Sequence, residues 1–244
     1  ETGINFANAT PLIRDNFITN NGDGIRSYSY SNPMILNNTI TSNLRIGVSC
    51  FDHSSGIIQN NTITTNNQSG IACENYSNPI IQGNNFTSYN SSVGAAIGCS
   101  DHSNATIREN SIMNSLNGIG CGRNSYPLIE RNEIRNIGGH GIACHLFSSP
   151  IIQGNNLTSC FWAIGCHENS NPTIQGNMIT ENDKGIVVDS NASPTIHGNN
   201  ITANGQGITL DHSNATVREN VITSNNETGI WSGWCSPIIQ GNNI

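Results

Sequence analysis

The heptapeptide Pro150-Ile151-Ile152-Gln153-Gly154-Asn155-Asn156 stands again, letter for letter, from Pro79 to Asn85 and from Pro237 to Asn243. Looser copies begin at Pro33, Pro172 and Pro194. A fixed period of about 22 to 23 residues limits the fold more than any local propensity does, because equivalent positions need equivalent surroundings. Two anchors align eleven coils. The first is a small residue followed by an aliphatic one, from Gly3-Ile4 through Gly24-Ile25 and Gly47-Val48 to Gly229-Ile230. The second is Ile-x-x-Asn-x-Ile. Its asparagine recurs in every coil, as Asn16, Asn38, Asn61, Asn84, Asn110, Asn132, Asn155, Asn177, Asn199, Asn220 and Asn242.

Around these anchors, stretches of three to five residues alternate apolar and polar, separated by Gly, Asn, Ser and Pro. That is the pattern of strands and turns; no stretch has the 3.6-residue period of an amphipathic helix. Strands this short cannot form separate hairpins and keep their repeats equivalent. Coils stacked one on the next can, by lining identical positions up in parallel, in-register strands. The expected fold is all-β, a parallel β-helix solenoid of about eleven 22–23-residue coils, with residues 1–244 as a single domain. At about 4.8 Å per coil the rod is roughly 50 Å long. A buried Asn is costly unless hydrogen-bonded, so the asparagine row reads as a ladder in which each amide bonds to the next. The Thr row after the second anchor (Thr19, Thr41, Thr64, Thr87, Thr158, Thr180, Thr202, Thr223) faces outward, and Met113 and Arg135 interrupt it. Coil five gains residues through Asn90–Gly94, and coils ten and eleven each lose one.

Only 10% of residues are charged, far below the usual quarter, so solubility rests on Asn, Ser, Thr and Gly. The net charge of −7 excludes a basic nucleic-acid footprint. No apolar run has the length of a membrane span, so no membrane insertion is expected of this segment. The sequence opens inside a repeat and stops on Ile244 at a core position; it is expected to be a segment of a longer surface protein. Asn-x-Ser/Thr acceptors are dense: Asn8, Asn37, Asn60, Asn67, Asn75, Asn85, Asn90, Asn104, Asn156, Asn191, Asn200, Asn214 and Asn226. They suit a glycosylated protein outside the cell or on its surface, although any Asn- and Thr-rich repeat generates some by chance.

The repeated Gly-Ile-x-x-x-x-x-Ser-x-Pro-x-Ile-x-x-Asn-x-Ile pattern resembles the right-handed parallel β-helix repeats of the pectin-lyase-like superfamily. These include carbohydrate-binding and sugar-hydrolase repeats of prokaryotic surface proteins. The resemblance covers essentially the whole chain and implies a right-handed solenoid. It does not imply one activity, since the superfamily holds lyases, hydrolases, epimerases, adhesins and structural modules. Its lyases and epimerases place a basic residue among calcium-binding carboxylates in a groove walled by loops. Calcium is therefore the implied cofactor if the chain is a lyase; otherwise no cofactor is expected.

Three groups of residues could carry chemistry. Cys50, Cys73, Cys99, Cys121, Cys144 and Cys166 occupy one position in six successive coils, where Val188 and Leu210 follow, so the row points into the core. It is read as stacked reduced thiols, with disulfides between neighbouring coils as the alternative. A linear row offers no tetrahedron, so no metal site is expected there. Second, Asp-His-Ser occurs at Asp52-His53-Ser54, Asp101-His102-Ser103 and Asp211-His212-Ser213. Consecutive residues diverge, whereas a catalytic triad needs convergent geometry, so these tripeptides are read as turns. The best active-site candidate is a face bearing Asp101, His102, Arg123, His145, His167 and Glu168, without the loop walls that exclude water. Third, Tyr28, Phe51 and Tyr76 lie along the same side and could stack on sugars. Trp231 and Trp234 are expected to cover the open end of the core.

The leading expectation is a non-catalytic extracellular or cell-surface structural and adhesion module that binds carbohydrate or neighbouring surface proteins. The alternative is a polysaccharide lyase, epimerase or glycoside hydrolase acting on an acidic polysaccharide through the Asp101–Glu168 face. A third reading, an ice-binding Thr and Asn surface, is weakened by Met113 and Arg135.

Overall fold

The computed structural model describes residues 1–89 and 94–244. The acceptor Asn90, and most of the extra segment of coil five, lie outside the described residues. No helix occurs among those described.

Each coil lays down up to three short strands, one on each face of a rod. The first face holds the strands that follow the Gly-Ile anchor, such as Ile25–Tyr28, Ile46–Phe51, Ser69–Glu74, Ile97–Cys99 and Ile119–Cys121. The second holds eleven three-residue strands, from Leu12–Arg14 to Ile238–Gln240, in unbroken coil order. The third runs from Phe17–Thr19 to Asn200–Thr202 and ends in isolated bridges at Val221. In coils seven and eight the third and first faces join in single long strands, Glu133–Cys144 and Asn156–Cys166. All pairing is parallel. Identical positions meet: Ile25 pairs with Val48, Val48 with Ile71, Ile71 with Ile97 and Ile97 with Ile119.

Three columns of aliphatic residues fill the interior, and most of their members are fully buried. Each such Ile is worth about 1.5–3 kcal/mol of transfer free energy. The cysteine row is one more interior column. Ser27, the six cysteines, Val188 and Leu210 pair in register, and all six thiols are buried and free. Cys50 and Cys99, together with burial, push the Cys73 thiol well above its ordinary range; Cys144 and burial do the same to Cys121.

The asparagine ladder forms along its whole length. Oδ1 of Asn61 accepts both the backbone N–H of Asn38 (2.8 Å) and its Nδ2 (3.0 Å). Asn38 Nδ2 also donates to the carbonyls of Ile13 and Leu36. The same set recurs at Asn155, which bonds to Asn132, Asn177, Ile129 and Gln153. The residue before each ladder asparagine sits in the left-handed region, as with Asn37 (φ 55°), Asn60 (φ 54°) and Gly154 (φ 62°). This is why the repeat reads Gln-Gly-Asn: glycine takes that conformation without steric cost.

A second ladder, not read from the sequence, runs along the next corner. Asn21, Asn43 and Asn66 bond in series and end on the hydroxyl of Tyr89. It resumes as Cys160 N–H to Asn182, then Asn204 and Asn225. Between these runs Ser115 and Ile137 take the position. The expected caps do not form. Trp231 lies on the outer surface of the first face beside Thr209, and Trp234 is 78% exposed, stacked on His212.

Candidate functional site

On the first face, inward positions belong to the Ile and Cys columns. Alternation therefore points the residues one and three after each anchor Ile outward; the residue two before it is also partly exposed, because the small anchor residue between them is buried and breaks the alternation, as in Ile46-Gly47-Val48. The middle outward row is small: Ser49, Ala72, Gly98, Gly120, Ala143 and Gly165 follow one another along the axis. It floors a cleft of about 600 Å³. Ser69, Asn117 and His140 stand on one side, and Glu74, Arg123, His145 and Glu168 on the other. Added methyls at Gly98, Gly120 or Gly122 would meet nothing closer than 3.8 Å. No fold constraint keeps these positions bare.

At one end of the cleft the histidines gather. His167, only 8% exposed, has Nδ1 2.8 Å from Oδ1 of Asp189. An ionised carboxylate only accepts, so this contact places the His167 hydrogen on Nδ1. Its Nε2 lies 3.3 Å from Nε2 of His140. His145 stacks on His167 at 4.9 Å, and His140 meets Trp162 edge-on at 4.9 Å. A register shift between Ile137 and His140, through Gly138-Gly139, precedes His140, which stands in its row opposite Trp162. Burial, then His167 and His145, lowers His140 to about 4; burial and His167 also lower His145. Gly165 makes the cluster sterically accessible, because a Cβ there would sit 2.5 Å from His167 Nε2. Beyond Trp162 the groove continues as a smaller 340 Å³ depression lined by Lys184, Asp189, Gln206, Asp211 and Trp231. Among the described residues, no three His, Cys, Asp or Glu side chains converge as a metal cage.

The candidates read from sequence divide. Arg123, His145 and Glu168 line the cleft together, and His167 stands behind His145. Asp101 is not among the lining residues but touches two that are, Arg123 at 3.4 Å and Ser100 at 3.0 Å. His102 lies outside, at the corner between the first and second faces. Both residues of Asp52-His53 and of Asp101-His102 are left-handed, with φ of 52–64°, whereas in Asp211-His212 only His212 is, at φ 47°. The following serines, Ser54 and Ser103, are buried and bond to neighbouring coils, away from the histidines. Asp-His-Ser is thus a turn and not a triad: Asp and His meet in two copies, at 3.3 Å in Asp52-His53 and 2.8 Å in Asp211-His212, while the serine side chain is buried away from them.

The corner carries a stack of rings, Tyr30–His53–Tyr76–His102, with centroids 4.7, 5.2 and 4.9 Å apart. Both faces of Tyr76 are covered, so it offers a sugar only its edge. Tyr28 lies beneath Arg26 (5.9 Å), and Phe51 sits beside Glu74 at the cleft's end. All the described glycosylation acceptors are at least partly exposed, and none belongs to the buried ladder. His140, Trp162 and Lys184 were missed by sequence reasoning. Counting two residues back from Ile142, Ile164 and Ile186 would have found all three.

In sequence the chain matches no curated protein. Among solved structures, a double mutant of the periplasmic alginate epimerase AlgG superposes with a TM-score of 0.81 at 16% identity, covering 99% of this chain and 71% of that one. The Azotobacter vinelandii mannuronan C-5 epimerase AlgE6 A-module gives 0.61 at 14%, over 96% and 71%. The tailspike of E. coli bacteriophage HK620, in complex with a hexasaccharide, gives 0.61 at 13%, over 91% and 46%. At these identities the likeness is one of fold. The model of the right handed beta helix region matches residues 1–112 and 95–244, and the chain belongs to that family.

Proposed function

We propose that the protein is an extracellular or cell-surface solenoid that holds a glycan chain lengthwise in the groove of its first face. The bare floor carries this reading. Glycine in a strand forfeits packing and costs about 0.5–1 kcal/mol relative to Ala, yet Gly98, Gly120 and Gly122 have room for side chains. A strand glycine with no internal need marks close approach by a ligand. The walls supply imidazole, amide, carboxylate and guanidinium groups for sugar hydroxyls. The structural neighbours named for alginate epimerisation, or solved with a hexasaccharide, point the same way. Arg123 and Lys184 are set against Glu74, Glu168, Asp189 and Asp211 in a chain of net −7. No positive field gathers a polyanion here, so the favoured ligand is a neutral or sparsely charged glycan.

The test is an array of neutral and acidic polysaccharides probed with the full chain and with Gly120→Leu. Retention of a neutral glycan by the parent and its loss in the variant, at equal melting temperature, is expected. No retention, or retention indifferent to Gly120→Leu, refutes the reading.

A second reading is favoured by His145 facing the cleft between Arg123 and Glu168. An imidazole acceptor beside a guanidinium suits proton removal next to a sugar carboxylate, as a lyase or epimerase requires. Turnover of a uronate polymer, with or without calcium, that disappears in both His145→Ala and Arg123→Ala would establish catalysis in place of simple retention.

A further inference from the structure

We infer that His140 and His167 form the protein half of a seat for a divalent transition metal, zinc or copper(II), at the end of the groove. This is independent of which glycan the groove holds. Three observations converge. The first is the 3.3 Å between the two Nε2 atoms. That is long for a nitrogen–nitrogen hydrogen bond. It matches two imidazole nitrogens bound at 2.0–2.1 Å to a tetrahedral ion, which are about 3.3–3.4 Å apart. The second is Asp189, whose Oδ1 accepts from Nδ1–H of His167 at 2.8 Å. That contact leaves the lone pair on Nε2, aimed at His140. A carboxylate behind a ligating imidazole is the usual outer-shell partner of such metals. The third is Gly165. A Cβ there would lie 2.5 Å from His167 Nε2 and 3.0 Å from His140 Nε2, so the space beside both donors is kept open.

Of the pair, His140 lines the cleft. No third His, Cys, Asp or Glu converges with the pair among the described residues, so water or a glycan hydroxyl completes the shell. Imidazole donors favour zinc, copper and nickel over calcium or magnesium, which prefer oxygen. The calcium implied by the family resemblance therefore does not suit this pair.

The test uses the full chain stripped with chelator and titrated with zinc chloride by calorimetry. Copper(II) is then added and its electron paramagnetic resonance recorded. Expected are one equivalent of zinc bound and a copper spectrum with hyperfine structure from two imidazole nitrogens. Both should be lost in His140→Ala and in His167→Ala. Asp189→Asn should weaken zinc about 10- to 100-fold, the usual effect of removing an outer-shell partner. His53→Ala and His212→Ala, whose rings lie at the exposed corner, should bind as the parent does. Unchanged circular dichroism in each variant separates loss of a donor from loss of the fold. Absence of stoichiometric zinc, or binding that persists in the His140→Ala/His167→Ala double variant, overturns the assignment.

Discussion

Replacing Asn155 with alanine tests the ladder most directly. The Asn155 side chain is buried in the seventh rung and takes part in five hydrogen bonds. Its Oδ1 is the acceptor for the Asn132 backbone N–H and for Asn132 Nδ2, both at 2.9 Å. Truncation leaves the backbone donor orphaned and deprives Nδ2 of one of its three acceptors. The carbonyl of Ile129 and Oδ1 of Asn177 each lose a donor as well, though Asn177 keeps the Asn155 N–H. A buried donor stranded in this way costs about 1–3 kcal/mol. One such stranded donor, with smaller terms for Asn132 Nδ2 and for the acceptors, gives about 3 kcal/mol. The control is Asn242→Ala in the last coil. Asn242 accepts the equivalent pair from Asn220, but it is half-exposed, so water replaces the lost acceptor and about 1 kcal/mol is expected. Urea unfolding followed by circular dichroism measures both. Coils contact only their neighbours, so amide exchange at Asn132 should show whether the loss is local. A cost below about 1.5 kcal/mol for Asn155→Ala, or one equal to Asn242→Ala, would refute the claim that the ladder is a closed, water-free network.

Alkaline pH should unfold the rod in steps set by its thiols. Cys73, Cys121 and Cys144 are held above their ordinary value near 9, and burial takes Cys160 to about 12. Folded values above unfolded ones mean stability that is complete below pH 9 and falls as pH rises beyond it, by up to about 1.4 kcal/mol per unit for each thiol. A Cys73→Ala/Cys121→Ala variant should show a visibly shallower alkaline limb in melting temperature; an identical limb would sink the account. The same column should resist a thiol reagent in the native state, with only half-exposed Cys235 reacting quickly. Gly165→Ala should lower zinc affinity at least tenfold while Gly120→Ala leaves it unchanged, read by calorimetry. Tyr76→Ala should leave glycan retention intact on the array, because His53 and His102 already cover its ring.

The fold was legible because the ladder and core positions repeat, and repetition is what a stacked solenoid imposes on sequence. Ile35, Asn38 and Ile40 each have one environment in every coil, so each letter recurs. The second ladder stayed hidden because Tyr89, Ser115, Ile137 and Cys160 break it in four successive coils. The site was legible only in part. Arg123, His145, His167 and Glu168 were found because titratable residues stood out against an uncharged background. His140 was not, since it stands two residues before its Gly-Ile anchor, whereas the candidates were drawn from the positions that follow the first strand. Asp101-His102 was placed on the face because it follows the first strand, but two successive left-handed residues put His102 at the corner, outside the groove.

This division has a physical cause that also explains where the site lies. In a parallel solenoid every inward or ladder position is coupled to the same position above and below it, so a change there disturbs two neighbours at once. Only outward rows are free to vary from coil to coil. On the first face those rows change character along the axis, from Arg26, Ser49 and Ala72 over Gly98 and Gly120 to Gly165, Val187 and Trp231. The floor drops where the row reaches glycine and rises again at Val187. The histidines stand where it begins to rise, with His167 held by Asp189 and His140 opposite Trp162. Among the described residues, the cleft therefore arises by subtracting side chains from a few coils of a surface that is otherwise filled. Filling Gly98, Gly120 and Gly122 together with alanine should raise the floor of the cleft and raise stability, because alanine loses less chain entropy than glycine and a Cβ at each position meets nothing closer than 3.8 Å. A triple variant that is less stable than the parent would show that these glycines serve the fold, and would remove the ground for reading the groove as a binding site.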